Sequence, residues 1–317
     1  MAFGTAGLRG KLGAGTNRMN QYTVAKASQA FADTISDMGE DAKKRGVTIC
    51  YDVRHKSDEF SKITAEVYAA NGIKVNIFKE IQPTPVCSYA IRKLKSIAGV
   101  MVTASHNPRE YNGYKAYGSD GSQILEDIAV QIQNYMKEYD DYSKIKRIDF
   151  DKAMDDGLIS WIDDSLIEDY VKEVLACTIN DDVDKKVKIV YTPLNGCGNK
   201  LVRRILNERG FENIYIVKEQ ENPDPDFTTV GYPNPEDPKA FKLSEKLGEE
   251  KEADLLLATD PDSDRCAVEV KDEKGNYQFL TGNQIGSLLT NYILTALDEN
   301  NELPEDGAVV KTIAVSY

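Results

Sequence analysis

Histidine is scarce. His55 and His106 are the only imidazoles in 317 residues, so any chemistry that needs one rests on that pair. Cysteine is little better represented: there are five, an odd number, and none falls in a CxxC spacing. That excludes a cysteine-built zinc site and fits a reduced, cytoplasmic setting. No apolar run approaches the ~18 residues that span a bilayer. The opening MAFGTAGLRG also lacks the apolar segment of a signal peptide. An excess of positive charge is missing too: Lys and Arg total 39 against 52 Asp and Glu, a net charge of -13. A nucleic-acid or anionic-membrane partner is therefore not expected, although a small anion in a local pocket is still allowed. The GxSxG elbow of many serine hydrolases is absent.

What is present alternates between strand-like and helix-like patterns. GVTICYDVR (46–54) is β-branched and apolar. A helical pattern follows from Asp58 to Asn71, with Phe60, Ile63, Val67 and Ala70 in register. IKVNIF (73–78), IAGVMVTA (97–104) and the short YKAY (114–117) read as strands, and Ser122 is placed to cap a helix carrying Ile124, Ile128, Ile132 and Met136. The pattern recurs as a strand at 186–194, a helix near 199–209 and a strand at 213–217. The expected fold class is α/β: two similar three-layer α/β domains with mixed, mainly parallel sheets, plus the start of a third. The expected boundaries are 1–160, 161–278 and 279–317, with a charged junction at 139–165 and an irregular proline-rich loop at 221–238. The chain opens directly on a glycine-rich motif and stops in the strand-like GAVVKTIAVSY, so a piece of a longer protein is expected.

Four motifs carry candidate chemistry. MVTASHNP (101–108) runs from an apolar strand into Ser105, His106 and Asn107, and Pro108 bars Asn107 from the helical region. Ser105 and His106 are expected on an exposed turn at a strand end, where open α/β sheets bind ligands. On its own the stretch also fits a polar turn. DPDSDR (260–265) follows the apolar ADLLLAT and precedes the alternating CAVEV. Its three carboxylates at i, i+2 and i+4 can converge on one hard cation. At a separation of ~4 Å each pair would repel by roughly 4 kcal/mol at an effective dielectric near 20. An EF-hand is excluded, because Arg265 and Lys271 stand where its glycine and glutamate belong. FGTAGLRG (3–10) offers backbone amides and Arg9 to an anion, and NGYK (112–115) brings Lys115 soon after the serine turn.

Taken together, FGTAGLRG, TASHNP, NGYK and DPDSDR, with PNPE at 233–236, resemble the α-D-phosphohexomutase family in order and spacing. That family comprises the phosphoglucomutases, phosphomannomutases and their relatives. The extended opening FGTAGLRGKLGAGTNRMN resembles the phosphoglucomutase–phosphopentomutase branch most. The resemblance implies that Ser105 carries a phosphoryl group and that Asp260, Asp262 and Asp264 hold Mg²⁺ together with an oxygen at Ser105. It implies that Thr5, Arg9, Asn107 and Arg265 steady phosphate, and that His106 and Lys115 are acid/base candidates. The implied reaction interconverts glucose 1-phosphate and glucose 6-phosphate, with glucose 1,6-bisphosphate as intermediate and activator. Phosphoserine at about -1.5 to -2, added to three carboxylates, gives the cluster roughly -5, which calls for a divalent cation and arginines. Mannose or pentose phosphate are alternative substrates. A sugar-phosphate-binding paralogue without catalysis and a DxD glycosyltransferase are rival readings, and the latter leaves TASHNP unexplained. Family members have four domains, so the sugar-reading domain III would be cut short here and the phosphate-clamping domain IV would be missing. Little mutase activity is expected from these 317 residues alone.

Overall fold

The computed structural model describes residues 1–5 and 7–310. Its first half runs β1 (Leu8–Lys11), α1 (Gln21–Asp37), α2 (Glu40–Arg45), β2 (Val47–Tyr51), α3 (Ser57–Ala70), β3 (Val75–Ile77), α4 (Thr84–Lys93), β4 (Ala98–Val102), β5 (Tyr111–Gly118), α5 (Glu126–Met136), α6 (Phe150–Asp155) and β6 (Ile159–Trp161). The second half runs α7 (Ser165–Ala176), β7 (Lys188–Thr192), α8 (Asn199–Glu208), β8 (Asn213–Ile216), α9 (Lys218–Glu221), α10 (Lys242–Lys251), β9 (Leu255–Thr259), β10 (Cys266–Lys271), β11 (Tyr277–Leu280) and α11 (Gly282–Glu299).

The strands form two sheets, ordered β1-β5-β4-β2-β3-β6 and β11-β10-β9-β7-β8. Five pairings are parallel and four antiparallel, so the sheets are mixed and mostly parallel. The segments β5-β4-β2-β3 and β10-β9-β7-β8 share one connectivity and one set of strand directions, so the repeat suggested by the sequence pattern is a repeat of topology. Strands β2 (VTICY) and β4 (AGVMV) are buried almost throughout because both faces are covered, and both are accordingly largely apolar. Phe60, Ile63 and Val67 on α3 join Phe31 and Ile35 on α1 in one core layer. Val86, Cys87 and Ile91 on α4 form the other layer, which also reaches Leu166, Val171 and Leu201 of the second half. A third cluster, with Val190, Phe241 and Leu256, fills the second sheet's inner face.

The structure departs from the sequence reading in several places. The strand expected at 114–117 is twice that length, because it is a central strand flanked by β1 and β4. Ser122 caps no helix: its N–H and hydroxyl bond to Asp120 in a turn, and α5 begins at Glu126 without a side-chain cap. The charged junction supplies α6 and the edge strand β6, which pairs with β3. Helix α11 stands where a third domain was expected, and it leaves Leu288, Leu289 and Tyr292 exposed. Residues 307–310 are not in a strand, and the rest of the expected terminal strand lies outside the described residues. The five cysteines are all free thiols. Among the described residues no helix is long and apolar enough to cross a membrane.

Candidate active site

The serine turn follows β4 and the acidic turn follows β9, which are equivalent strands of the two sheets. Each chain path reverses there into an antiparallel neighbour, β5 or β10, so both turns sit where the sheet changes from parallel to antiparallel. Each places a serine in the left-handed region, Ser105 at φ 53 and Ser263 at φ 55. That conformation is uncommon for a residue with a Cβ and marks a backbone held by its surroundings.

Three buried groups hold the serine turn. The Arg54 guanidinium donates to the carbonyl oxygens of Ser105, Asn107, Pro108 and Tyr111. Asp52 pairs with Arg54 and accepts from the Arg54 N–H, from Ser57 Oγ at 2.7 Å and from Thr103 Oγ at 2.6 Å. Thr103 Oγ in turn accepts from the Ser105 N–H at 2.8 Å. Burial raises the Asp52 carboxyl and lowers Arg54, and their attraction opposes both shifts. Neither residue was singled out from the sequence. The available signal was two charged residues at the tail of the apolar run VTICYDVR, at the carboxyl end of a central strand.

The acidic turn is packed onto this scaffold. Ser105 Oγ donates to Asp260 Oδ2 at 2.8 Å. Lys115 Nζ donates to Asp262 Oδ2 at 2.7 Å and to Asp264 Oδ2 at 2.8 Å. Thr84, at the start of α4, donates through its hydroxyl to Asp262 Oδ2 and through its N–H to the Asp262 carbonyl. From its own side, Cys197 N–H bonds the Pro261 carbonyl, and a Cβ on Gly196 would stand 2.4 Å from Pro261 Cα, so only glycine lets the two loops touch. Ser105 is therefore buried, at 2% exposure, and the expectation of an exposed serine turn is corrected: the acidic turn covers it.

The three carboxylates each offer an oxygen within 4.8 Å of the others. Burial and the two neighbouring carboxylates raise Asp260 well above the usual range. Burial also works to raise Asp262, but the Lys115 ammonium outweighs it and brings that carboxyl down to about 2. Burial acts to lower Lys115, and Asp262 and Asp264 reverse this and hold it protonated. Asp262 Oδ1 is buried without any hydrogen-bond donor, although a carboxylate oxygen in that setting demands a partner. An orphaned oxygen, two further carboxylates and a serine hydroxyl form an all-oxygen donor set that fits a hard divalent cation.

Among the other expected residues, His106, Arg9, Asn107 and Arg265 lie around this centre. His106 is half-buried, with Nδ1 3.3 Å from Ser105 Oγ, so sequence adjacency does not keep the two side chains apart. Burial, then Arg265 and Arg9, lower the His106 pKa, which keeps the ring neutral. Arg9 is exposed on β1 and donates to Asn107 Oδ1 at 3.3 Å. Arg265 reaches Glu236 of PNPE at 3.1 Å, which brings a fifth motif to the rim. Thr5 is exposed in the turn between Gly4 and Gly7 and has no side-chain hydrogen bond among the described residues.

Fold and site together define a protein of paired α/β domains with a serine facing an acidic triad across the domain boundary. Residues 1–143 match the family description "Phosphoglucomutase/phosphomannomutase, alpha/beta/alpha domain I", and residues 168–275 match domain II of the same family. The chain belongs to the phosphoglucomutase/phosphomannomutase family. It is 40% identical over 294 residues to a phosphoglucomutase of Staphylococcus epidermidis, covering 92% of this chain and 53% of that one. It is 34% identical over 313 residues to a phosphoglucomutase of Staphylococcus haemolyticus, covering 99% and 56%. A crystal structure from Thermus thermophilus, provisionally designated a phosphomannomutase, superposes with TM-score 0.74 at 26% identity, covering 92% of this chain and 61% of that one. The chain thus spans about half the length of the curated relatives it matches.

Proposed function

We propose that these residues form the serine- and metal-bearing half of a phosphoglucomutase-type enzyme, which interconverts glucose 1-phosphate and glucose 6-phosphate through a phosphoserine at Ser105. The contact that supports this most directly is Ser105 Oγ on Asp260 Oδ2 at 2.8 Å, inside a triad with an orphaned oxygen on Asp262. In this reading a sugar-phosphate hydroxyl attacks the phosphorus on Ser105. The bond from phosphorus to Ser105 Oγ breaks as the new one forms, and the product is glucose 1,6-bisphosphate. After the bisphosphate turns over, its other phosphoryl group returns to Ser105 and the isomerised monophosphate leaves. Neutral His106 is suited to accept the hydroxyl proton, while Lys115 stays charged beside the transferring group. In this reading Arg9, Asn107, Arg265 and Thr5 steady the phosphate oxygens, and the Arg9–Asn107 contact supports the first two. Mg²⁺ would be held by Ser105, Asp260, Asp262 and Asp264, and when bound it supplies positive charge for the phosphoryl oxygens. Glucose phosphate is favoured over mannose or pentose phosphate by the names of the two staphylococcal relatives. The intact serine and triad favour an enzyme over a sugar-phosphate-binding paralogue.

Intact-mass measurement after incubation with glucose 1,6-bisphosphate and Mg²⁺ tests the reading. One phosphoryl group is expected on the wild type and none on Ser105→Ala. A wild type that never gains phosphate, or a Ser105→Ala variant that gains it equally, would sink the proposal. Turnover by these 317 residues is expected to be far below that of a full-length relative, since much of such a rate comes from clamping the substrate. Comparable rates in a coupled assay would show that the further length of those relatives is dispensable.

A further inference from the structure

Residues 12–20 join β1 to α1 and take no part in the Ser105 centre. The N–H groups of Leu12, Gly13, Arg18 and Met19 are bonded to backbone carbonyl oxygens. Asn20 Nδ2 donates to the carbonyl oxygens of Gly13 and Gly15, both at 2.9 Å, and lies 3.3 Å from that of Arg18. Asn20 Oδ1 meanwhile accepts the N–H groups of Tyr22 and Thr23 and caps α1. Three loop carbonyls are thus gathered onto one side chain, while Thr16 O accepts from the Met1 ammonium at 3.0 Å and Arg18 O also accepts from Thr23 Oγ at 2.8 Å. The N–H groups of Ala14, Gly15, Thr16 and Asn17 have no acceptor among the described residues, and all four residues are exposed. Gly13 at φ 145 and Gly15 at φ 109 permit the reversal of the chain here.

A run of exposed N–H groups without internal acceptors, flanked by cations, can form an anion-binding concavity. Lys11, Arg18 and Tyr111 line an open pocket of ≈ 490 Å³ together with residues 14–17. The Arg18 stem folds back over Gly13, with Cδ 3.0 Å from where a Cβ would stand there, which sets the direction of its guanidinium. Lys11 has one carboxylate neighbour, Glu110 at 3.7 Å, and Arg18 has none among the described residues. In a chain of net charge -13 this is a local reversal of sign. Lys11 lies two residues beyond Arg9 on β1, about 7 Å farther along the same strand face.

We propose that the 13–18 loop is a phosphate-binding position distinct from the Ser105 centre. A phosphate dianion has enough terminal oxygens to engage several amides and the planar fork of Arg18 at once. The same chemistry is presented by inorganic phosphate and by the phosphate of a phosphorylated sugar. The assignment stands on the loop alone and does not depend on phosphorylation of Ser105.

The test is an amide-resolved NMR titration of the ¹⁵N-labelled 317-residue chain with inorganic phosphate, against chloride at equal ionic strength. Saturable shifts at Gly15, Thr16 and Asn17 are expected with phosphate and not with chloride. They should persist in Ser105→Ala and weaken about tenfold or more in Arg18→Ala, whose exposed side chain is not needed for folding. A parallel titration with glucose 1-phosphate separates the sources: tighter binding than inorganic phosphate identifies a phosphorylated sugar, and equal binding identifies the free ion. Static loop amides, equal shifts with chloride, or shifts unaffected by Arg18→Ala would overturn the proposal. So would shifts that vanish in Ser105→Ala, because the phosphate would then lie at the other site.

Discussion

The serine turn and the acidic turn occupy equivalent places in two sheets of the same connectivity, yet they are held in different ways. The serine turn is anchored mainly from within its own sheet, by Arg54 on four carbonyl oxygens and by the Asp52–Thr103 pair beneath it. The acidic turn has a few bonds of its own, such as the Arg265 N–H on Asp260. Its carboxylates, however, take their strongest partners from the other half of the molecule: Ser105, Thr84 and Lys115. One turn is a preformed platform, and the other is a charged cap that needs the platform's cation. The difference suits a centre in which a hydroxyl must keep its direction while the surrounding charge changes.

The largest effect expected from this contrast is that of Arg54→Ala. It strips the donors from four carbonyl oxygens and leaves Asp52 buried beside no cation, which for a broken buried pair costs about 3–5 kcal/mol. Urea denaturation should show that loss, and Mg²⁺ should not restore it. A loss below about 1 kcal/mol would mean that the serine turn is not held by Arg54. Lys115→Met should cost somewhat less, about 2–3 kcal/mol, because the carboxylates it abandons can draw in a cation. Here added Mg²⁺ should recover most of the lost stability by binding the folded state. If Mg²⁺ stabilises Lys115→Met no more than wild type, the cap is not a cation site and the contrast fails.

The same contrast explains what was legible in the sequence. Strand positions, the repeat and the chemical residues were readable, since apolar runs ending in TASHNP and DPDSDR are local signals. The burial of Ser105 was not, because its cover arrives 155 residues later in the chain. Arg54 and Thr84 were missed for a related reason. Their work is done on backbone carbonyls and on a distant carboxylate, and neither leaves a spacing pattern. Ser122 misled because Asp120, two residues earlier, competes for the same hydroxyl and N–H.

A second pair of buried carboxylates sharpens the comparison at smaller magnitude. Asp52 in the first sheet has both oxygens bonded. Glu269 on β10 is buried at 2% exposure, and its Oε2 has no partner. Burial, then the charge of Glu245, pushes the Glu269 carboxyl up to about 7. The folded state therefore binds a proton that the unfolded chain has already released, so this group favours folding at acid pH and its contribution falls away as pH rises from about 4.5 to 7. Glu269→Gln keeps the shape and cannot ionise. At pH 8 it should be more stable than wild type by about 1–2 kcal/mol, with the gain shrinking toward zero near pH 5. Denaturation midpoints for both proteins at pH 5, 6, 7 and 8 would show it. A difference that does not vary with pH would mean that Glu269 ionises as freely folded as unfolded, and the second sheet would then carry no unmet carboxylate outside the acidic turn.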